Sequence, residues 1–286
     1  MPASITPIDW TGGPALLWVA AAALLYRRGG WMSPRRSSTR WRTASFTAGL
    51  LAIVIALDSP IDHLSEELFW VHMTQHVLLI GVAAPLLALA RPWARMWRGF
   101  PLSYRRALAH RIAGPGARPL RRVVALMGGA VVSWLIFNVN FSAWHLPVLY
   151  DAALRWELVH ALEHFTFFAT ALLFWTRVVD SPLWRSPLGE LGKLVYLGST
   201  MVVGWMLAIA LAIASSPIYS AYAEEASRPG HISAFTDQQL AAGVMWVPAS
   251  VPYAIAIVVI AYRLLESGES GRRLGAQSKG LQRGVG

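Results

Sequence analysis

Two pairs of histidines, each four residues apart, lie in apolar stretches of the sequence. His72 and His76 open the run FWVHMTQHVLLIGVAAPLLALA, and His160 and His164 lie in WELVHALEHFTFF together with Glu163. Residues i and i+4 of a helix are neighbours about 5–6 Å apart at Cβ, so each pair can converge on one ion. Ionisable groups within apolar helices are costly and usually face the bundle interior. The spacing therefore predicts that two helices share one small-ion site.

The donor types restrict the metal without selecting one. The chain contains no cysteine, which excludes thiolate sites, and imidazoles suit copper, zinc or iron. A haem with one histidine from each helix is an alternative, although the second histidine pair crowds it. A zinc hydrolase is another, because residues 160–164 read H-x-x-E-H, a motif that supplies two ligands and a general base.

Composition places these helices in a membrane. The 286 residues are 55% hydrophobic and only 14% charged, and they include 14 Trp, which are typical of membrane interfaces. Spanning a bilayer takes about 20 apolar residues. We predict an all-α polytopic membrane protein, a bundle of seven transmembrane helices at about 12–26, 43–58, 69–90, 122–142, 156–179, 192–215 and 240–264.

The basic residues predict the orientation of this bundle. All of the 25 Lys and Arg residues except Arg155 and Arg228 fall on one side of the alternating scheme. The positive-inside rule makes that side cytoplasmic, with the N-terminus outside and the C-terminus inside. The net charge of +10 is thus a topology signal, and nucleic acid is not an expected partner.

The predicted organisation has three parts. These are an outer tail (1–11), the membrane domain (12–266) and a disordered cytoplasmic tail (267–286) rich in Gly, Ser and charge. The N-terminus lacks the basic start of a signal peptide, so cleavage is not expected.

Other polar side chains gather at the predicted outer end. His145 follows the fourth predicted helix beside Trp144, where it can close the site. His63 and His231 lie in polar loops and are expected to be solvated. Met73 is offset from His72 by about a quarter turn and is expected to pack, although a thioether suits Cu(I).

Four of these motifs together resemble a known family. HMTQH, WHLP, HALEH and DQQLAAGVMW occur in that order over about residues 58–262 and are similar to the CtaG family, seven-helix cytochrome c oxidase assembly factors. The resemblance implies a role in maturing a haem–copper oxidase by delivering or inserting copper. It points to the following residues: His72, Met73, His76, Trp144, His145, His160, Glu163, His164, Asp237 and Gln238. Asp237 is expected either to orient a ligand imidazole or to cap its own helix.

We therefore expect an inner-membrane copper carrier rather than an enzyme. Its expected partners are haem–copper oxidase subunits, the lipid bilayer and an outer-side copper donor. A copper importer is a weaker interpretation, because the inner halves of the histidine helices carry almost no ligands, and Met201 and Met206 are taken as core residues. A scaffold that binds no metal also stays open.

Overall fold

A computed structural model describes residues 13–32, 40–179, 186–224 and 228–266. Every regular element in those ranges is helical and no strand occurs among them, which confirms the all-α prediction for this part of the chain. The predicted outer tail 1–11 and the predicted disordered tail 267–286 lie outside the described residues.

Long helices alternate with short connecting ones. In chain order the helices of the described ranges are α1 (Pro14–Trp31), α2 (Arg40–Asp58), α3 (Pro60–Glu67), α4 (Phe69–Ala90), α5 (Trp93–Gly99), α6 (Leu102–Ala113), α7 (Arg118–Met127), α8 (Ala130–Trp144), α9 (Pro147–Arg155), α10 (Glu157–Val178), α11 (Glu190–Ile213), α12 (Ser220–Ala223) and α13 (Ala234–Glu266).

Within the described residues, five helices are long and apolar enough to cross a membrane: α2, α4, α10, α11 and α13. Helices α7 and α8 become a sixth candidate if the two are counted as one bent span. Helix α1 forms close to the predicted position but is not among these candidates. The count of seven spans and the orientation of the termini stay predictions.

The predicted span at 122–142 is not one straight helix. The chain bends by 79° between α7 and α8, at Gly128 and Gly129. Gly129 is extended, with φ −68° and ψ 141°, so the α7 ladder ends before it. The carbonyl of Gly128 accepts a hydrogen bond from Arg177 Nη1 at 2.6 Å, and Ser133 Oγ donates to the carbonyl of Met127 at 2.7 Å. Two consecutive glycines and these side-chain donors make the break favourable.

Helix α4 is the central helix of the bundle. Of its apolar window, 61% is buried, against at most 33% in the other candidate spans. Directly after the histidine pair, the residues Leu78–Ala83 widen into a π-helical turn. Pro85 follows this turn. A proline inside a regular helix has no amide hydrogen to donate, and its ring clashes with the carbonyl one turn back; the widened turn relieves that clash. Trp175 of α10 donates to the carbonyl of Ile80 within this turn at 3.0 Å, which ties the two histidine helices together.

Candidate metal centre

Helices α4 and α10 begin at the same end of the bundle and hold their histidines at matching depths. His72 and His160 each lie three residues after the first residue of their helix, and their ring centroids are 5.0 Å apart. His76 and His164 lie one turn further along, with centroids 5.4 Å apart. The structure thus brings together all four imidazoles that the sequence placed at one site.

Glu163 lies among these rings and is fully buried. Its Oε2 is 3.6 Å from His72 Nε2, and its Oε1 is 3.7 Å from His76 Nε2. Both distances exceed those of a hydrogen bond, and neither carboxylate oxygen has a hydrogen-bond partner. A buried carboxylate without partners is costly, and either a bound cation or protonation of the carboxyl group removes that cost.

The donor atoms fit one metal ion. Ligand atoms of His72, His160, Glu163 and His164 all lie within 4.8 Å of one another. Metal bonds of about 2.0–2.2 Å separate opposite ligand atoms by at most about 4.4 Å, so a contraction of a few tenths of an ångström is sufficient. The Nε2 atom of each of these three histidines is buried without a hydrogen-bond partner. His76 lies outside this tightest group but contacts it through Glu163.

The proton of His72 is positioned by tyrosines that no sequence motif indicated. Tyr222 donates its hydroxyl proton to the carbonyl of Ser65 at 2.5 Å. The same hydroxyl lies 3.0 Å from His72 Nδ1 and must accept there, because its only proton is already donated. His72 therefore carries its proton on Nδ1 and presents the Nε2 lone pair to the centre. Burial raises the pKa of Tyr222 well above its usual value, which keeps the hydroxyl neutral. The hydroxyl of Tyr150 is also close, at 3.1 Å from His72 Nδ1.

We expect Tyr222→Phe to weaken metal binding about 10–100-fold, the usual effect of removing a group that orients a ligand imidazole. The matched control is Tyr219→Phe, which removes another buried hydroxyl of the same aromatic cluster, one that donates to the carbonyl of His145 instead. Chelator competition with Cu²⁺ measures both. Equal losses in the two variants would contradict the role assigned to Tyr222.

His145 does not belong to the tightest ligand group. Its Nδ1 donates to the carbonyl of Phe141 at 2.7 Å, which leaves the Nε2 lone pair buried and without a hydrogen-bond partner. Together with Met73 and His76 it lines a small cavity of about 60 Å³. Its neighbour Trp144 donates to Thr166 Oγ1 on α10 at 2.8 Å and so holds the end of α8 against the histidine helix.

Asp237 has neither of the roles expected for it. It contacts no imidazole, and α13 is capped by Ser233, which accepts from the amide of Thr236 at 3.0 Å. Asp237 instead accepts from the amides of Phe69 and Trp70, at 2.9 and 3.0 Å. It thereby caps the start of α4, three residues before His72, because the first amides of a helix lack partners within it.

Gln238, beside it, joins α13 to the end of α11. Its side-chain oxygen accepts from the amide of Ile218 at 2.8 Å, and its Nε2 donates to the carbonyl of Leu211 at 3.1 Å. Gln238 therefore fixes two helices and touches no donor of the centre. His63 and His231 are exposed, in agreement with the solvated positions expected for them.

A larger cavity, of about 690 Å³, reaches the centre from the side of α1 and α2. Its wall is mostly apolar, with Trp18, Phe46 and Phe168 among its residues, and His160 and His164 lie at its border. The centre is thus enclosed on the side of Tyr222 and approachable on the side of His160.

Curated relatives provide little functional information. Uncharacterized proteins of Mycobacterium bovis, Mycobacterium tuberculosis and Mycobacterium leprae are each 22% identical to this chain in an alignment of 244 positions that covers 81% of it. The chain spans only 35–36% of the length of these relatives. No solved structure matches the chain.

A family model gives the clearest result. The model described as cytochrome c oxidase caa3 assembly factor (Caa3_CtaG) matches residues 16–267. This range contains every residue of the histidine–glutamate centre, which consists of His72, His160, Glu163 and His164. The match covers most of the chain and agrees with the resemblance seen in its motifs. This protein belongs to the cytochrome c oxidase caa3 assembly factor family.

Proposed function

We propose that this protein binds copper at the centre formed by His72, His160, Glu163 and His164 and supports its insertion into a cytochrome c oxidase during assembly. The observation that carries the proposal is the convergence of buried imidazole and carboxylate atoms that have no hydrogen-bond partner in the protein. Copper is the cargo in this proposal, and His76 is a fifth donor beside the centre.

The donor set favours copper among the divalent metals. Imidazole and carboxylate sites bind Cu²⁺ more tightly than the other first-row ions, in the general order of their stabilities. Family membership adds the process that consumes the metal, since haem–copper oxidases contain copper. Because the chain has no cysteine, release does not require breaking a thiolate cage.

Haem is less well supported than a small ion. The imidazoles contact one another directly, with centroids 4.4 Å apart for His72 and His76 and 4.2 Å apart for His160 and His164. The rings of different helices are also only 5.0–5.9 Å apart. A macrocycle between them would require the two helices to separate.

A zinc hydrolase would use Glu163 as a general base. Glu163 is fully buried among the rings, and both its oxygens face ligand nitrogens. A general base must also reach a water molecule and a substrate. The position of Glu163 therefore supports a role as a ligand better than a role as a base.

The location of the centre suggests how the cargo is exchanged. It lies near the first residues of α4 and α10, the ends that the charge pattern predicts to face the outer side of the membrane. In this proposal copper arrives from an outer-side carrier through the large cavity beside His160 and leaves to an oxidase subunit docked in the bilayer. Protonation of the ligands at low pH favours release, because imidazoles bind metal only when deprotonated.

The test is elemental analysis and a visible spectrum of the detergent-purified protein and two double variants. His72→Ala/His164→Ala removes two ligands, and His63→Ala/His231→Ala removes two exposed histidines as the matched control. We expect nearly one copper per chain at this centre in the wild type and the control, and loss from the ligand variant.

Other outcomes reject the proposal in different ways. Zinc alone would favour the hydrolase, and a haem absorption band would favour a cytochrome. Cu²⁺ that remains bound in the ligand variant would place the divalent site elsewhere. A protein that takes up no metal, even after copper loading under reducing conditions, would contradict the carrier and leave a scaffold.

A further inference from the structure

A small chamber of about 60 Å³ lies beside the histidine–glutamate centre and shares His76 with it. Residues of α4, α8, α11 and α13 line it, so it lies between these four helices. Its lining is mostly apolar, but it includes sulfur and nitrogen donors, which a chamber that merely reflects imperfect packing has no reason to collect.

Three methionines from three different helices line the chamber. They are Met73 of α4, Met201 of α11 and Met245 of α13, and Met73 and Met245 are buried. Met206, on the same helix as Met201, is instead 67% exposed. The expectation that both are core residues is confirmed for Met201, which packs against the core, and is wrong for Met206; of the two, Met201 lines the chamber.

Two imidazoles complete the donor set. His145 is 5% exposed; its Nδ1 donates to the carbonyl of Phe141, and its Nε2 has no hydrogen-bond partner. His76 is 4% exposed and lacks a hydrogen-bond partner at either nitrogen. Its Nε2 lies near Glu163, so Nδ1 is the nitrogen that can bind a metal ion in the chamber.

We propose that this chamber is a second metal site, one that selects Cu(I) through the thioethers of Met73, Met201 and Met245 and the imidazoles of His76 and His145. Soft thioethers prefer Cu(I), whereas the carboxylate of the neighbouring centre prefers divalent ions. The proposal rests on the proposed function in taking copper as the cargo. Copper enters the chamber already as Cu(I), so no electron transfer is involved.

The shared histidine gives the two sites a physical connection. His76 contacts the carboxylate of one site and lines the other, so the two sites are direct neighbours. Neutral thioethers hold Cu(I) without a compensating negative charge, which keeps it exchangeable. The chamber is therefore a site for copper that reaches it as Cu(I), separate from the divalent ions that the histidine–glutamate centre prefers.

The test uses the full chain in detergent, loaded separately with Cu(I) under reducing conditions and with Zn²⁺. Met73→Leu/Met201→Leu/Met245→Leu conserves the volume of the chamber, so folding is expected to be retained. Met206→Leu is the matched control on the exposed face of α11. Zn²⁺ reports on the histidine–glutamate centre in every variant.

We expect X-ray absorption of the Cu(I)-loaded wild type and control to show sulfur ligands. The triple variant should lose them and bind Cu(I) at least tenfold more weakly, with unchanged Zn²⁺ affinity. A second variant, Gly204→Leu, tests the space itself, because a Cβ at Gly204 meets no atom within 4 Å and a leucine there extends into the chamber. It should lose the sulfur signal without removing any donor.

Cu(I) bound in the wild type by nitrogen and oxygen alone, or sulfur ligation that persists in the triple variant, would overturn the chamber proposal. Failure of the proposed function gives a different result. In that case Zn²⁺ and Cu²⁺ fail to bind the histidine–glutamate centre, whereas the sulfur ligation of Cu(I) in the chamber is still measured on its own.

Discussion

Replacing Glu163 with glutamine is expected to abolish metal-dependent stabilisation without harming the apo protein. The carboxylate is the one anionic donor of the tightest ligand group, and it is buried without partners. Removing one member of a buried charge pair typically costs about 3–5 kcal/mol, so the affinity for Cu²⁺ should fall by roughly two to four orders of magnitude. Glutamine keeps the shape of the side chain and removes the buried charge, so the apo protein should be at least as stable.

Weaker copper binding together with unchanged or higher stability of the apo protein identifies Glu163 as a metal ligand. The control is Glu157→Gln, an exposed carboxylate in the first turn of the same helix, which should alter neither property. Copper titrations and thermal unfolding with and without saturating Cu²⁺ measure both. If Glu163→Gln instead destabilises the apo protein and leaves copper binding intact, Glu163 is a structural residue.

Asp237→Ala is expected to produce the largest loss of apo stability. The change removes the acceptor of the Phe69 and Trp70 amides, and each unsatisfied buried amide costs about 1–3 kcal/mol. We expect a loss of about 3 kcal/mol in the free energy of unfolding. Metal binding should also weaken, because the released first turn of α4 carries His72.

Ser233→Ala is the matched control for this prediction. Ser233 caps α13, the helix to which Asp237 belongs, and losing such a cap costs about 1 kcal/mol. Asp237→Asn retains one acceptor and should give an intermediate loss. Denaturant titration of the apo protein in detergent compares all three. A loss no greater than that of Ser233→Ala would show that Asp237 does not support α4.

Several features of this protein could be predicted from residue spacing alone. The i, i+4 spacing places His72 with His76 and His160 with His164 on one helical face each, because that relation depends only on the helix pitch. The similar distances of His72 and His160 from the start of their predicted spans, three and four residues, predicted their similar depth. The apolar runs likewise predicted α4, α10 and α11 to within a few residues.

Other features depended on contacts that spacing does not encode. Gly128 and Gly129 interrupt a run that its hydropathy makes continuous, and the break depends on Arg177, which is 49 residues distant from Gly128 in sequence. Met201 and Met206 look alike in the sequence, but rotation of α11 against its neighbours turns only Met201 into the chamber.

The division between sequence and tertiary structure is clearest at His72. The sequence by itself determined that His72 is a buried donor next to His76, since both lie on the polar face of an apolar helix. Only the tertiary structure decided its tautomer and its position. Tyr222 lies 150 residues away and sets the proton, and Asp237 caps the first turn from 168 residues away. Hydrogen bonds of this kind depend on how helices pack together, which no local period of the sequence specifies.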